Sequence, residues 1–465
     1  MLSIQDRTQR NIRKLYIESY GCQMNFSDSE IVISLLKEDG FEPTNKFEEA
    51  DLLFINTCSI REKAEKNVKN RLKIFNLLKK KKPKMIIGML GCMAERLKLK
   101  LLEEEKLVDL IVGPDSYRDI PHLVKLVESK NAINVTFSNS KEETYADIKP
   151  VRENGVTAFI SITRGCDNMC SFCIVPFTRG RERSRDPKSI IEECEELWKK
   201  SYKEITLLGQ NVDSYIWYGG GVKKDFHKAS NLKKYTSINF AKLLEFIAKA
   251  VPAMRIRFST SNPCDMSVEV LETISRNTNI CQHIHLPVQS GSTRVLQRMN
   301  RRSTRVEYLS LIRMIRTILP DCSISHDIIT GFCGERDQDH NDTLSLMEYV
   351  KYDFGYMFAY SSRPGTFAEK NLKDDVPEKI KKRRLSEIID LQRKHSSERI
   401  QRHVGKVQEV LIEGESKKSK FHWYGRNSQS AVVVFPKDNY HLGDLVKVKI
   451  NDCTAATLIG EVLKH

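Results

Sequence analysis

The sequence has no run of the about 20 apolar residues that a helix needs to span a bilayer. Residues 1–14 are polar and charged, which predicts that no secretory signal peptide begins the chain. Without an export signal, the 12 cysteines favour reduced thiols and metal binding over disulfides. We therefore expect a cytoplasmic protein with no membrane partner.

An acidic surplus is also lacking, since the formal net charge is +15 at pH 7. Residues 71–84 contain no acid and seven basic residues: Arg71, Lys73, Lys79, Lys80, Lys81, Lys82 and Lys84. A basic surplus favours a polyanionic partner, nucleic acid first, although any single basic run can equally be a solvated face. With 465 residues the chain is too long for one hydrophobic core, which predicts two or three domains.

Three cysteines stand together without a nearby fourth ligand. Cys166, Cys170 and Cys173 share one short loop, and the next cysteine, Cys194, lies in a helical pattern that turns it away. Three thiolates round one point hold an Fe–S cluster, zinc or copper, and a structural zinc site needs a fourth ligand close by. A four-iron cluster with three protein ligands leaves one iron open. The CxxxCxxC spacing, with Phe172 before the last cysteine, resembles the motif of radical S-adenosylmethionine (SAM) enzymes, whose open iron chelates SAM; a zinc site or a chance cluster is the alternative.

A second cysteine trio marks the first third of the chain. Strand-like segments at 14–20, 50–56 and 85–90 end just before Cys22, Cys58 and Cys92, and a helical pattern follows each. Alternating strands and helices predict a parallel α/β sheet, in which functional groups gather at the carboxyl ends of the strands. One such cysteine is usually core or chance, but three at equivalent places predict a second cluster site, again with one iron open.

Alternation continues after a polar segment, 131–152, which we interpret as a linker. Strands are predicted at 156–162, 204–208, 255–259, 283–286, 323–329 and 353–359. Six strand–helix units predict an open, partial (βα)6 barrel with its site at the carboxyl ends of the strands. Polar or glycine residues follow those ends, and we expect SAM contacts among Gln210, Asn211, Ser259, Gln289 and Gly331, although such residues often only make turns. Phe172 of the cysteine loop is a further candidate SAM contact.

Beyond residue 377 the composition changes. A basic helix is predicted over 378–402, and five short alternating runs over 403–465 predict a small antiparallel β-barrel of the OB-like type, whose common partners are oligonucleotides. The candidate RNA contacts are Arg383, Arg384, Arg393, Trp423 and Arg426. Trp423 offers a stacking surface beside a cation, and a barrel that serves only for packing is the alternative.

Taken end to end, the chain resembles the methylthiotransferase family of radical SAM enzymes. The resemblance is strongest at residues 18–25, 56–64 and 174–185, which are similar to the branch of the family that acts on tRNA. It implies an N-terminal domain with an auxiliary cluster (1–130), a linker (131–152), a radical SAM core (153–377), a connecting helix (378–402) and a TRAM domain (403–465).

The resemblance also implies an activity. It is methylthiolation of carbon 2 of N6-isopentenyladenosine at position 37, beside the anticodon in the anticodon stem-loop of tRNA. The cofactors are SAM and two 4Fe–4S clusters, held by Cys22, Cys58 and Cys92 and by the CxxxCxxC trio. SAM is both methyl donor and radical source, the auxiliary cluster carries the sulfur, and a reducing electron donor protein and a sulfur donor are required. A radical is needed because no side chain deprotonates an unactivated aryl C–H bond.

Two other classes of function are open. A methylthiotransferase acting on threonylcarbamoyl-adenosine in tRNA or on a ribosomal protein would keep both clusters, whereas a non-enzymatic Fe–S redox protein would not need SAM. The chain also departs from the family pattern at Asn262, Cys264, Ser303, Cys333 and Arg336. None of these is a cluster cysteine, so the chemistry is unaffected; we interpret Cys264 and Cys333 as neutral substitutions, and the departure at Ser303 bears on contact with the modified base.

Overall fold

The protein is described by a computed structural model that covers residues 12–57, 62–94, 107–130, 134–136, 142–152 and 155–463. The chain forms two compact units. The first is drawn from Met1–Glu153 and Ile174–Arg183, and the second from Asn154–Cys173 and Ser184–His465. The segment 174–183 was predicted within the radical SAM core, yet it packs as part of the first unit. Within the described ranges, no helix is long and apolar enough to cross a membrane.

The first unit is built on the predicted parallel sheet. Its strands are β1 (Arg13–Tyr20), β2 (Phe41–Pro43), β3 (Leu52–Thr57), β4 (Ile86–Leu90), β5 (Leu110–Val112) and β6 (Asn134–Thr136), in the order β2-β1-β3-β4-β5-β6. Every residue of β3, β4 and β5 is buried, as in parallel sheets covered on both faces. The helices are Gln23–Glu38, Glu62–Lys81, Ile120–Lys130 and Val175–Thr178, with a 3₁₀ turn at Tyr117–Asp119. Most of the helical pattern predicted after Cys92 lies outside the described residues, since the description stops at residue 94 and resumes at 107.

The segment predicted as a linker contributes to this unit. Strand β6 pairs in parallel with β5, and Tyr145 is buried and stacks on Tyr117 with ring centroids 5.7 Å apart. The hydroxyl of Tyr145 donates to the carbonyl of Pro114. Residues 142–152 therefore anchor to the sheet, which the polar composition of 131–152 did not indicate.

The second unit contains the predicted partial barrel, here called the core barrel. Its strands are β7 (Thr157–Ser161), β8 (Glu204–Leu208), β9 (Arg255–Ser259), β10 (His283–His285), β11 (Ser323–Thr330) and β12 (Phe354–Ala359). They form two parallel sheets, β9-β8-β7 and β10-β11-β12, and a bridge between Ile256 and Ile280 links β9 to the segment before β10. All six predicted strands are confirmed.

Helices surround the core barrel. They are Pro187–Lys199, Asn231–Tyr235, Phe240–Ala250, Val268–Arg276, Thr293–Arg298, Arg305–Ile318, Asp337–Val350 and Phe367–Asn371, with a 3₁₀ turn at Lys223–Lys228. Two-residue strands occur at Thr163–Arg164, Arg183–Ser184, Ile216–Trp217 and Ile238–Asn239. Apolar residues at alternate strand positions, such as Ile256, Ile284 and Ile324, pack outward into the main hydrophobic cluster. Cys194 is fully buried there, consistent with the expectation that it faces away from the cysteine loop.

A long helix, Glu378–Gln401, joins the core barrel to a small closed barrel. The strands of this C-terminal barrel are β13 (Val407–Glu415), β14 (His422–Arg426), β15 (Val432–Pro436), β16 (Leu445–Cys453) and β17 (Thr457–Val462), in the order β13-β14-β15-β17-β16. All pairs are antiparallel except β15–β17, which is parallel. The predicted five-stranded barrel is therefore confirmed.

The C-terminal barrel docks at the amino-terminal ends of the core strands. Arg257 donates to the carbonyls of Asn427 and Ser428 at 2.7 and 3.2 Å, and the backbone N–H of Gln282, just before β10, donates to Ser428 Oγ at 2.9 Å. Arg255, the first residue of β9, donates to the carbonyl of Arg426. The carboxyl ends of the core strands, where sites form in such barrels, are at the opposite edge.

Candidate cluster sites and their surroundings

The CxxxCxxC loop follows β7 and is held at several points. Gly165 has φ +78°, which favours glycine, and its N–H donates to the side chain of Gln210 at 2.6 Å. Ser171 donates from its backbone N–H to the carbonyl of Met299 and from its hydroxyl to the carbonyl of Arg298, both at 2.9 Å. These bonds fix the loop at the carboxyl end of the barrel.

The three cysteines of this loop are partly exposed. The Sγ of Cys166 accepts from Asn168 Nδ2 at 3.5 Å, and the Sγ of Cys170 accepts from Arg301 Nη1 at 3.7 Å. The backbone N–H of Cys173 donates to the carbonyl of Cys170. Among the described residues, no three His, Cys, Asp or Glu side chains are placed to hold a single metal ion. Three thiols on one loop, two of them with an N–H donor at the sulfur, fit a cluster, whose irons spread the ligands wider than one ion does.

Two buried polar atoms near the predicted SAM contacts have no hydrogen-bond partner among the described residues. The amide of Asn211 donates to Asp265 at 2.7 Å, but its Oδ1 is unpartnered. Asp213 accepts from the hydroxyl of Ser261 at 3.0 Å, but its other oxygen is unpartnered. Burial raises the pKa of Asp213 well above its ordinary value. A ligand carrying an ammonium group, such as SAM, would supply the donor that the Asn211 oxygen lacks.

The remaining predicted SAM contacts lie at the same barrel edge. Ser259 ends β9 and is partly exposed, and Gln289 has φ +71° while its carbonyl accepts from the N–H of Ile329. Phe172 meets the edge of Phe332 at 6.4 Å. These positions suit contacts with a ligand at this edge, so the predicted roles of Ser259, Gln289 and Phe172 stay predictions.

The glycine at 331 has a reason within the protein. Its φ is +69°, and a Cβ there would overlap the aliphatic chain of Lys381. Its N–H donates to Glu335 at 2.8 Å. Packing against Lys381 is therefore sufficient to require glycine, whereas the role predicted from sequence was a contact with SAM.

A polar network on the inner face of the core barrel was missed at the sequence level. The hydroxyl of Ser325 lies 2.9 Å from both His283 Nε2 and His285 Nδ1, and His285 Nε2 lies 3.5 Å from Asp327. Burial, and then the charges of His285 and Arg257, lower the pKa of His283 to about 3, so this imidazole is neutral. Barrel interiors are usually filled with branched aliphatic side chains, so these groups offer hydrogen bonds to a bound molecule. Their signal was the polar alternation along β10 and β11.

In sequence the auxiliary cysteines follow three adjacent strands, and the two described ones lie at the carboxyl ends of β1 and β4. Cys22 follows β1, Cys92 follows β4, and Cys58, which follows β3, lies outside the described residues. A Cβ on Gly91 would come within 2.5 Å of the side chain of Asn56, so the ends of β3 and β4 are in direct contact. Asn56 also donates to the carbonyl of Asn25, which lies in the helix after Cys22. The carboxyl ends of β1, β3 and β4 therefore lie close together, as the parallel sheet predicts.

The candidate RNA contacts in the connecting helix differ in accessibility. Arg384 is buried and forms ion pairs with Glu335 at 2.8 Å and Asp337 at 2.9 Å, so it is a structural residue and is not available to a phosphate. Arg383 is half-exposed and pairs with Asp337 at 3.1 Å, and Arg393 is 76% exposed. Counting basic residues along a helix could not separate the face that packs on the core barrel from the exposed one.

In the C-terminal barrel, Trp423 is partly buried and one face of its ring is covered. The ammonium of Lys437 lies 4.3 Å from the ring centroid of Trp423. Arg426 is partly exposed and forms an ion pair with Glu413. Stacking of an RNA base on Trp423 would have to use the remaining ring surface or displace Lys437.

The departures from the family pattern differ in their exposure. Cys264 is exposed, although desolvation of its thiol raises the pKa of that group. Cys333, in contrast, is fully buried against Tyr360 and Phe332. Cys264 is therefore a surface substitution, and Cys333 is a core residue.

Three parts of the chain match known protein families. Residues 14–113 match the uncharacterized protein family UPF0004, residues 160–347 the radical SAM superfamily, and residues 401–463 the TRAM domain. A solved radical SAM methyltransferase, TsrM from Kitasatospora setae, superposes with a TM-score of 0.55 at 11% identity over 77% of this chain and 75% of that one. The fold and the cysteine loop thus define a radical SAM enzyme.

Full-length relatives specify the family. A protein from Christiangramia forsetii is 64% identical over 97% of this chain and 94% of its own length, and one from Flavobacterium johnsoniae is 61% identical with the same coverage. Both are named tRNA-2-methylthio-N(6)-dimethylallyladenosine synthase. The chain belongs to this family of radical SAM methylthiotransferases, which use SAM and 4Fe–4S clusters.

Proposed function

We propose that this chain methylthiolates carbon 2 of N6-isopentenyladenosine, at position 37 in the anticodon stem-loop of tRNA. The observation that carries the proposal is the placement of cysteines at the carboxyl ends of both parallel strand systems, in a chain that matches the named synthases over its whole length. The C-terminal barrel, at the end of a chain with net charge +15, suits an RNA substrate. A tRNA substrate calls for an enzyme that works in the cytoplasm.

The two 4Fe–4S clusters, when bound, would supply the electron for radical cleavage of SAM and the site that delivers sulfur. Within the second unit, Cys166, Cys170 and Cys173 would hold the SAM-cleaving cluster. Asn211 would orient SAM through its unpartnered Oδ1, while Gln210 fixes the cysteine loop through Gly165.

Within the first unit, Cys22, Cys58 and Cys92 would hold the auxiliary cluster that carries sulfur. Reductive cleavage of SAM requires an electron, so we include a reducing electron donor protein as a partner. A sulfur donor is also required, since each product molecule takes one sulfur atom. The exposed arginines of the connecting helix, Arg383 and Arg393, remain candidate phosphate contacts.

The test is iron content and turnover after anaerobic reconstitution. The full chain should hold about eight irons, as two four-iron clusters. Replacing Cys166, Cys170 and Cys173 by Ala should halve the iron and abolish 5′-deoxyadenosine formation. Replacing Cys22, Cys58 and Cys92 by Ala should abolish methylthiolation but leave SAM cleavage. The assignment would be refuted if the variant without Cys166, Cys170 and Cys173 still made 5′-deoxyadenosine. It would also be refuted if the variant without Cys22, Cys58 and Cys92 still made methylthiolated tRNA.

Substrate identity is tested separately by mass spectrometry of nucleosides from bulk tRNA of cells with and without the gene. Loss of 2-methylthio-N6-isopentenyladenosine, with its unmodified precursor accumulating, is the expected result. Loss of a methylthiolated threonylcarbamoyl-adenosine instead would support the alternative tRNA substrate. Unchanged tRNA together with a changed ribosomal protein would support the protein substrate.

A further inference from the structure

A buried arginine stands beside the auxiliary cysteines within the first unit. Arg179 follows the short helix Val175–Thr178 and its side chain is only 3% exposed. Its Nε donates to the sulfur of Cys92 at 3.2 Å, and its Nη2 donates to the side-chain oxygen of Asn25 at 3.2 Å. The same Asn25 oxygen lies 3.7 Å from the sulfur of Cys22. Arg179 and Asn25 therefore connect the two described auxiliary cysteines.

The guanidinium is held in place by an acid that is itself buried. Nη2 of Arg179 lies 2.7 Å from Asp28, whose side chain is fully buried. An arginine guanidinium keeps its charge in proteins, and the buried carboxylate of Asp28 compensates that charge here. The guanidinium also contacts the side chain of Asn25 and the sulfur of Cys92.

One donor of the guanidinium has no acceptor. Nη1 of Arg179 is buried and has no hydrogen-bond partner among the described residues. A buried, charged N–H group without an acceptor is costly, so such groups in folded proteins almost always meet one. The acceptor that fits this place is an anion, because the N–H belongs to a cation and the site is lined by cysteine sulfur.

We propose that Arg179 is a positioning residue of the auxiliary site, which fixes the thiolate of Cys92 and offers Nη1 to an anionic sulfur ligand of the cluster. The proposal rests on the proposed function, because it requires a cluster at Cys22, Cys58 and Cys92. A cation and N–H···S bonds stabilise the more negative, reduced form of a cluster. Arg179 should therefore raise the reduction potential of the auxiliary cluster and strengthen the binding of anionic sulfur to it.

The experiment uses the full chain with Cys166, Cys170 and Cys173 replaced by Ala, so that only the auxiliary cluster contributes to the spectrum. In this background Arg179→Gln should make the midpoint potential more negative, measured by electron paramagnetic resonance during a redox titration. Titration with sodium sulfide, followed by the same spectrum, should show about 10- to 100-fold weaker binding, as expected for loss of a charge-assisted hydrogen bond. Arg179→Lys keeps the positive charge but loses the several N–H donors of the guanidinium. Its midpoint potential should therefore lie between that of the background protein and that of Arg179→Gln.

Arg183 provides the matched control. It lies in the same segment, is also buried, is held by Asp115 at 2.7 Å and donates to the carbonyls of Arg179 and Arg181. Arg183→Lys should leave the potential and the sulfide affinity unchanged. An unshifted potential and unchanged sulfide affinity in both Arg179 variants, with about four irons retained, would overturn the inference alone. A background protein without iron would overturn the proposed function, and this inference with it.

Discussion

Arg257 is the side chain whose removal should separate the C-terminal barrel from the core barrel. It is 8% exposed, and its guanidinium donates to the carbonyls of Asn427 and Ser428 and, at 2.8 Å, to the hydroxyl of Ser430. Its Nε also lies 2.8 Å from the carboxylate of Glu204, which is itself buried. Arg257→Met therefore removes three hydrogen bonds to one loop and leaves a buried carboxylate with less compensation.

The expected cost follows from that geometry. Removing one partner of a buried ion pair costs about 3–5 kcal/mol, because the other charge stays buried. Arg255 also lies 3.3 Å from Glu204 and retains part of the compensation, so we expect the lower end, about 3 kcal/mol. Replacing both partners, in Arg257→Met with Glu204→Leu, should recover most of this loss because no charge is then left unpaired.

Two assays test this prediction. One is urea unfolding, and the other is limited proteolysis, without urea, of the peptide between the connecting helix and β13. Arg257→Met should lower the free energy of unfolding of the second unit and expose that peptide to cleavage, and the double variant should do so less. An unfolding midpoint equal to that of the parent chain, with the peptide still protected, would refute the view that this contact holds the C-terminal barrel in place. Arg393→Ala, on an exposed surface, controls for loss of a cation.

Three further predictions concern other parts of the second unit. Burial lowers the pKa of His326 to about 4, and that of an unfolded histidine is about 6.5, so the folded state binds fewer protons between those values. The free energy of unfolding should therefore fall, by about 1.4 kcal/mol per pH unit, as the pH drops from 6.5 to 4; urea midpoints of His326→Gln should show a flatter profile, and an equal slope would contradict this. Gly331→Ala should destabilise by about 1–3 kcal/mol, because a Cβ meets Lys381 at positive φ; thermal unfolding as stable as the parent would count against it. Arg393→Ala should reduce the slope of log tRNA affinity against log salt by about one, while Arg384→Lys, at a buried position, should leave it unchanged; equal slopes would place the phosphate contact elsewhere.

The sequence predicted the elements whose signal is local. Strands β3, β4 and β8 were located within two residues because each is a continuous buried run. Strands β2, β5 and β6 were missed, since each has three residues and pairs only through its neighbours in the sheet. A pattern within a short window does not contain the pairing that makes such segments strands.

The sites show the same division. The cysteines could be found from spacing and strand ends, but Arg179 and Arg384 could not be told from the other arginines around them. Arg179 donates a hydrogen bond to Cys92, which is 87 residues away in sequence, and Arg384 donates to Glu335, which is 49 residues away. Whether an arginine is a solvated charge or a buried partner is decided by such distant acids and sulfurs, so composition along one helix overstated the RNA-binding surface.

The position of the C-terminal barrel constrains how an RNA substrate can bind to the second unit. It docks at the amino-terminal ends of the core strands, while the CxxxCxxC loop and the polar residues that follow β8 and β9 lie at the carboxyl ends. A five-residue strand separates these edges by about 16 Å, so one free nucleoside cannot contact both. A folded RNA can pass round the outer helices and present one base at the carboxyl edge while its backbone meets the barrel. The architecture of the second unit thus favours a macromolecular substrate over a free nucleoside, because only the former gains affinity from the distant contact.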